Sequence, residues 1–141
     1  MPIVNYPFIS HVQGGITRPM LPIRITNPAT GQSLRVWGLI DTGADECAIP
    51  AAYANQLGHN LTAGPAKHIG TGNGMTIAYS HLTRIEIFGN NSNSVIVHTI
   101  NDTPIDFMPN LEVILLGVRN FMSQFRLIVD YPNHRFSLKN P

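Results

Sequence analysis

Twelve glycines and eleven prolines are spread along the whole of this 141-residue chain and divide it into short pieces. Both residues punctuate regular structure, so the pattern predicts many short strands joined by turns. Apolar residues inside the pieces recur with a period of two, as a half-buried strand requires. Leu21, Ile23 and Ile25 alternate with proline or polar positions, and Leu34, Val36 and Ile40 repeat the period. Between them Asn27-Pro28-Ala29-Thr30-Gly31-Gln32 has turn chemistry, so residues 20–40 read as a hairpin. The alternation continues at Met75, Ile77 and Tyr79, at Ile85 and Ile87, and at Val95 and Val97. The tail reads as a further hairpin, Leu127–Tyr131 and Arg135–Leu138 about Pro132-Asn133-His134. Two segments break the rhythm. Pro50–Leu57, closed by Gly58, has the proline-first, glycine-last signature of a short helix. Val118, Phe121, Met122 and Phe125 fall on one helical face and predict one short C-terminal helix.

The expected class is therefore all-β, in one domain over residues 1–141. Charged residues are only 12% of the chain, the net charge is +1, and the nine Lys and Arg form no cluster. Nothing here is a footprint for a phosphate backbone, so no nucleic-acid partner is expected. A single cysteine, Cys47, excludes an intramolecular disulfide and a cysteine-based zinc site. The six histidines lack tight ligand spacing, so no metal is expected. Met1–Pro7 has no basic region followed by an apolar stretch. The longest apolar run, Val113–Val118, is far short of a membrane span, so the expectation is a cytoplasmic protein with no membrane partner.

The chemistry concentrates in Trp37-Gly38-Leu39-Ile40-Asp41-Thr42-Gly43-Ala44-Asp45. An apolar strand runs directly into Asp-Thr-Gly, which predicts a buried carboxylate where the chain turns back. Burial raises the cost of ionising such a group, and a second carboxylate beside it raises that cost further. Two carboxyls sharing one proton make an acid–base pair. Gly43 permits close backbone approach, and the Thr42 hydroxyl is placed to bond inward. The plainer reading is an Asx-type turn at a strand end.

Asp41-Thr42-Gly43-Ala44-Asp45-Glu46 resembles the active-site signature of the retropepsins, the retroviral-type aspartic proteases. Two further elements fall in the family's order. The Gly-rich run His68-Ile69-Gly70-Thr71-Gly72-Asn73-Gly74 resembles the flap that folds over substrate. Val113-Ile114-Leu115-Leu116-Gly117 resembles the element that braces the catalytic loop. The resemblance spans residues 20 to 138. It implies a closed, orthogonal β-barrel with a flap hairpin, leaving residues 1–19 as an N-terminal extension of uncertain role. It also implies catalysis by Asp41, Thr42 and Gly43, and substrate contacts from Ala44, Asp45, Glu46 and flap residues Ile69, Gly70, Thr71, Gly72, Asn73 and Gly74. Leu116, Gly117, Arg119 and Asn120 give structural support, with an Asp45–Arg119 ion pair as one possibility. Gly70, Gly72 and Gly74 have the wrong spacing for a dinucleotide or P-loop site, and the strand-like run after them argues against one.

Only one Asp-Thr-Gly occurs, and 141 residues cannot hold two such lobes, so the resemblance implies a homodimer with its site on the two-fold axis. The implied activity is endopeptidase cleavage of extended polypeptides, by a mechanism that needs no cofactor. The alternative is a non-catalytic module of the same fold that binds peptides or mediates dimerisation. Glu46 either lines a subsite favouring basic or polar side chains or is a surface acid. Trp37, Phe8 and Cys47 are expected in the core, and His68 on the surface or tuning the flap's pH response.

Overall fold

The computed structural model describes residues 3–10, 12–72, 74–89 and 95–141. The expected all-β architecture is present, with two sheets. The larger contains β2 (Met20–Thr26), β3 (Ser33–Ile40), β4 (Ala48–Pro50), β5 (Ala66–Thr71), β6 (Gly74–Phe88), β7 (Ile96–Met108) and β8 (Ile114–Leu116). Its order is β2-β3-β8-β4-β7-β6-β5, and an additional β2–β6 pairing closes six of these strands into a ring. The barrel removes its own edges in this way. Only β5 hangs outside the ring, as one arm of a hairpin that leaves the barrel wall.

The 20–40 hairpin forms in the register Met20↔Leu39 to Thr26↔Ser33. Its turn is tied by Asn27, whose N–H donates to the Gln32 carbonyl and whose Oδ1 accepts the Ala29 N–H. β2 is buried on both faces apart from half-buried Arg24, because β3 and β6 flank it within the closed ring. Pro22, which has no N–H to give, precedes the stretch where β2 meets β6, beginning at Ile23. Ile23, Ile25, Ile49, Ile85, Phe107, Ile114 and Leu116 fill the barrel.

The smaller sheet has the order β1-β10-β9, with β1 (Ile3–Pro7), β9 (Arg126–Asp130) and β10 (Arg135–Lys139). The predicted tail hairpin is β9–β10, and the N-terminal segment adds β1 alongside it. Phe8 is buried against Tyr131, His134 and Phe136.

Both predicted helices are shorter and tighter than expected. Residues 50–58 make two successive 3₁₀ turns, Ala51–Tyr53 and Asn55–Leu57, ending on Gly58 in the left-handed region at φ 76°. Near the C-terminus a single 3₁₀ turn, Met122–Gln124, follows two wide bonds, Met122 N–H to Gly117 O and Ser123 N–H to Val118 O. Phe121 and Met122 are buried as predicted, but Val118 stays exposed. Its N–H and that of Arg119 are donated to the carbonyls of Ala44 and Asp45, so this segment opens as a brace for another loop. Trp37 is also exposed, contrary to the core expectation. In β3 the inward positions are Leu34, Val36, Gly38 and Ile40, and Trp37 has the opposite parity.

Candidate active site

β3 and β8 run parallel, pairing Gly38 with Ile114 and Ile40 with Leu116. That pairing delivers residue 41 beside residue 117. The Asp41 N–H donates to the Leu116 carbonyl (3.2 Å), and the loop that follows is stitched to residues 117–120. Val118 N–H reaches the Ala44 carbonyl (2.9 Å) and Arg119 N–H the Asp45 carbonyl (2.8 Å). Asn120 Oδ1 accepts the Cys47 N–H (2.8 Å), and Gly117 N–H points at Cys47 Sγ (3.4 Å). Gly117 is obligatory: a Cβ there would lie 2.3 Å from the Glu46 carbonyl carbon and 2.4 Å from its oxygen. Cys47 is buried, and burial pushes its thiol up to about 11, so it is a packing residue without nucleophilic character.

Asp41 is half-buried, not buried as expected, and Thr42 and Gly43 are exposed. The strand end places the carboxylate at the mouth of a cleft, where one chain covers it on one side only. The inward role expected of the Thr42 hydroxyl falls to Asp41 itself, whose Oδ1 accepts the Gly43 N–H (2.9 Å). The carbonyl of Asp41 also accepts the Ala44 N–H (3.3 Å). The Gly43 bond therefore fixes the carboxylate through one of its two oxygens.

The cleft has a volume of about 650 Å³ and lies between this loop and the β5–β6 hairpin. Of the expected residues, Asp41, Gly43, Ala44, Asp45, Glu46, Ile69, Gly70, Gly72 and Arg119 line it together. Thr42 and Gly74 do not, and Leu116, Gly117 and Asn120 stand behind the wall as supports. Asn73 and the Thr71 side chain lie outside the described residues. The hairpin pairs Ala66 with Tyr79 through to Thr71 with Gly74, and Gly74 takes φ +106°, a conformation few other residues adopt. Met75 and Ile77 on its second arm are exposed.

Sequence reading missed the charges of the wall. Lys67 Nζ, on β5, lies 2.9 Å from Asp106 Oδ2 on β7 and 3.5 Å from Glu46 Oε2. The Asp106 side chain is only 7% exposed and also accepts from Ser80 Oγ at 2.9 Å. The hydrogen bond that Lys67 donates to Asp106, then the charges of Asp106 and Glu46, hold the Lys67 ammonium above its ordinary value against the opposing pull of burial. Arg119 Nη1 completes the chain at 3.5 Å from Glu46 Oε1. The Asp45–Arg119 ion pair considered from the sequence does not form; those residues meet through the backbone, and the guanidinium pairs with Glu46. Lys67 and Asp106 carry no local sequence signal, since their pairing depends on two strands meeting across the barrel.

The chain superposes on a crystal structure of a retropepsin-like aspartic protease from Rickettsia conorii with a TM-score of 0.60 and 18% identity, over 98% of this chain and 92% of that one. EIAV protease, complexed with the inhibitor HBY-793, matches with a TM-score of 0.46 and 19% identity over 77% of this chain and 88% of that one. No protein-family model and no curated protein sequence matches.

Proposed function

We propose that this chain, whose fold is that of the retropepsin-like aspartic proteases, is an aspartic endopeptidase acting on extended polypeptides. The observation that carries the reading is the fixed Asp41 carboxylate at the mouth of a cleft roofed by a glycine-rich hairpin. Half of the catalytic pair is present in one chain, so the working enzyme is a symmetric homodimer in which two Asp41 carboxylates share one proton. The ionised one takes a proton from a water held between them, and that water attacks the scissile carbonyl. The protonated one donates to the developing oxyanion to give a diol; the proton taken from water then passes to the leaving nitrogen as the C–N bond breaks and the diol returns its proton to the other carboxylate. No cofactor enters these steps.

Substrate lies strand-like under the hairpin, whose backbone N–H groups meet peptide carbonyls while Ile69, Met108, Leu111 and Leu115 supply apolar wall. The need for one protonated carboxyl per pair sets activity at acidic to mildly acidic pH. The test is cleavage of a fluorogenic peptide library across pH. Wild-type protein cleaves, a statine-type transition-state mimic blocks it, and Asp41→Asn loses roughly 10³-fold or more while keeping the wild-type circular dichroism. Undiminished cleavage by a clean Asp41→Asn preparation removes the reading. Tight peptide binding by a wild-type protein that never cleaves assigns the non-catalytic role instead.

A further inference from the structure

The β5–β6 hairpin leaves the barrel at one level, and a single carboxylate stands there. β6 pairs with β5 from Gly74 to Tyr79 and with β7 from Tyr79 onward, so the bend between roof and wall falls at residues 78–80. Toward the tip buried packing ends: Ala78 is buried, whereas Met75 and Ile77 are exposed. Among the described residues β6 is the only sheet neighbour of β5. A hairpin with so little buried surface is held by what grips its root.

Asp106 is that grip. Ile105 and Phe107 are buried in the barrel core, and the opposite parity turns Asp106 to the cleft, which it lines. Each oxygen of its carboxylate takes one arm of the hairpin. Oδ1 accepts the Ser80 hydroxyl of β6, and Oδ2 accepts the Lys67 ammonium of β5, both at 2.9 Å. A carboxylate so buried is a costly choice for a barrel wall, where an apolar side chain of similar size packs without needing partners. The second pair that Lys67 makes, with Glu46, is longer at 3.5 Å and far more open to solvent, so it holds the arm weakly.

We infer that Asp106 is the positioning residue of the hairpin: by holding both arms at the bend it sets how far the roof stands above Asp41. For its kinetic consequence this rests on the protease reading above; the clamp itself does not. The Lys67–Asp106 pair is the part that opens. Ser80 sits on β6, which its ladder with β7 fixes independently. β5 has no ladder with β7 and is tied to it by the Lys67 side chain. With the pair made, the first arm lies against the wall and the roof is down. With the pair broken, that arm swings away and the cleft is open. Substrate enters against one ion pair, and closure over bound peptide forms it again.

Hydrogen–deuterium exchange of the full chain, read by mass spectrometry, tests this. Asp106→Asn and Lys67→Met each speed exchange of the 66–79 amides by about tenfold, beyond any change in β2 and β3. The double variant speeds it no further than the faster single one, because both substitutions remove the same contact. Lys67→Arg, which keeps the charge, stays within about threefold of wild type. In turnover, Asp106→Asn and Lys67→Met raise KM about tenfold for a peptide long enough to lie under the roof and leave kcat within about twofold, since the fraction of chains with the roof down has fallen. Lys67→Met alters a half-exposed side chain and decides the matter even where Asp106→Asn does not fold. Wild-type exchange in Lys67→Met, acceleration shared equally by β2 and β3, or additive effects in the double variant overturns the inference. The expected exchange pattern in a chain that never cleaves peptide keeps the clamp and removes the protease reading. Cleavage with exchange and KM unmoved by these variants keeps the protease and removes the clamp.

Discussion

The placing of Asp41 depends on residues behind the cleft wall. Gly117 is the tightest of them, because its α-carbon sits where any side chain would drive into the Glu46 backbone. Gly117→Ala is expected to cost about 3 kcal/mol, read by chemical denaturation, and to lower activity by misplacing the loop that Asp41 begins. Lys67 acts on charge. It faces both Glu46 and Asp106 and, with Arg119, balances these two carboxylates where the sequence alone indicates an acid. In Lys67→Met the two carboxylates lose that partner. The ratio of kcat/KM for peptides with a basic side chain to that for neutral peptides is expected to rise about tenfold, with thermal stability slightly lowered. An unchanged ratio would place Lys67 outside the substrate's reach. The Asp-Thr-Gly loop, the flap and Gly117 are legible in the chain because each is a compact local signal. The Lys67–Asp106 contact is not, because no spacing rule joins residues that only a closed barrel brings within 2.9 Å.

Among the elements, the strands were more readable than the turns that connect them. β2, β3, β6, β9 and β10 all form where the sequence indicates strands, with the period of two clearest in β3, whereas the two predicted helices shrink to 3₁₀ turns whose amides serve neighbouring loops. Two half-buried histidines sit where such elements pack. His59, after the second 3₁₀ turn, stacks on His81 of β6 (ring centroids 4.6 Å apart) and meets the edge of Phe107. Burial, and then the His81 charge, lower its affinity for a proton. His98, on β7, packs against Phe121 and Phe125; burial lowers its pKa too, and its Nε2 has no hydrogen-bond partner among the described residues. Both rings bind protons more readily unfolded than folded. Their stability contribution is therefore complete above the ordinary histidine value of about 6.5 and is lost as pH falls below it. Unfolding free energy should be flat above that pH and decline on the acid side, by at most about 1.4 kcal/mol per pH unit for each proton taken up. His98→Phe keeps the aromatic packing without the unpaired nitrogen, and is expected to flatten part of that decline and raise the denaturation midpoint at pH 5.

For the proposed enzyme these trends oppose each other: a shared carboxyl pair would need acid to hold its proton, and the histidines lose stability in acid. The working range is expected to be narrow, with its acid limit set by unfolding. A half-site in each chain, as proposed, would also make activity depend on concentration. Specific activity should fall on dilution through the dimer dissociation constant, and freely exchanging Asp41→Asn chains, added in equal amount to wild type, should leave about half of the wild-type activity because only dimers with two aspartates work. Full activity in that mixture, with exchange shown by sedimentation, would mean that a single Asp41 suffices. Among the described residues no helix is long and apolar enough to cross a membrane.

By itself the amino-acid order determined what short-range physics can write: the strand period, the Asn27 turn, an aspartate at a strand end, the glycines of the flap and Gly117. Tertiary structure decided the rest. The β2–β6 seam, the parallel approach of β8 to β3, the half-exposed setting of Asp41 and the Lys67–Asp106 ion pair of the cleft wall all depend on which strands become neighbours. Pairing between strands is fixed by burial and closure of the entire ring, energies summed over many residues, and no single stretch of chain carries them.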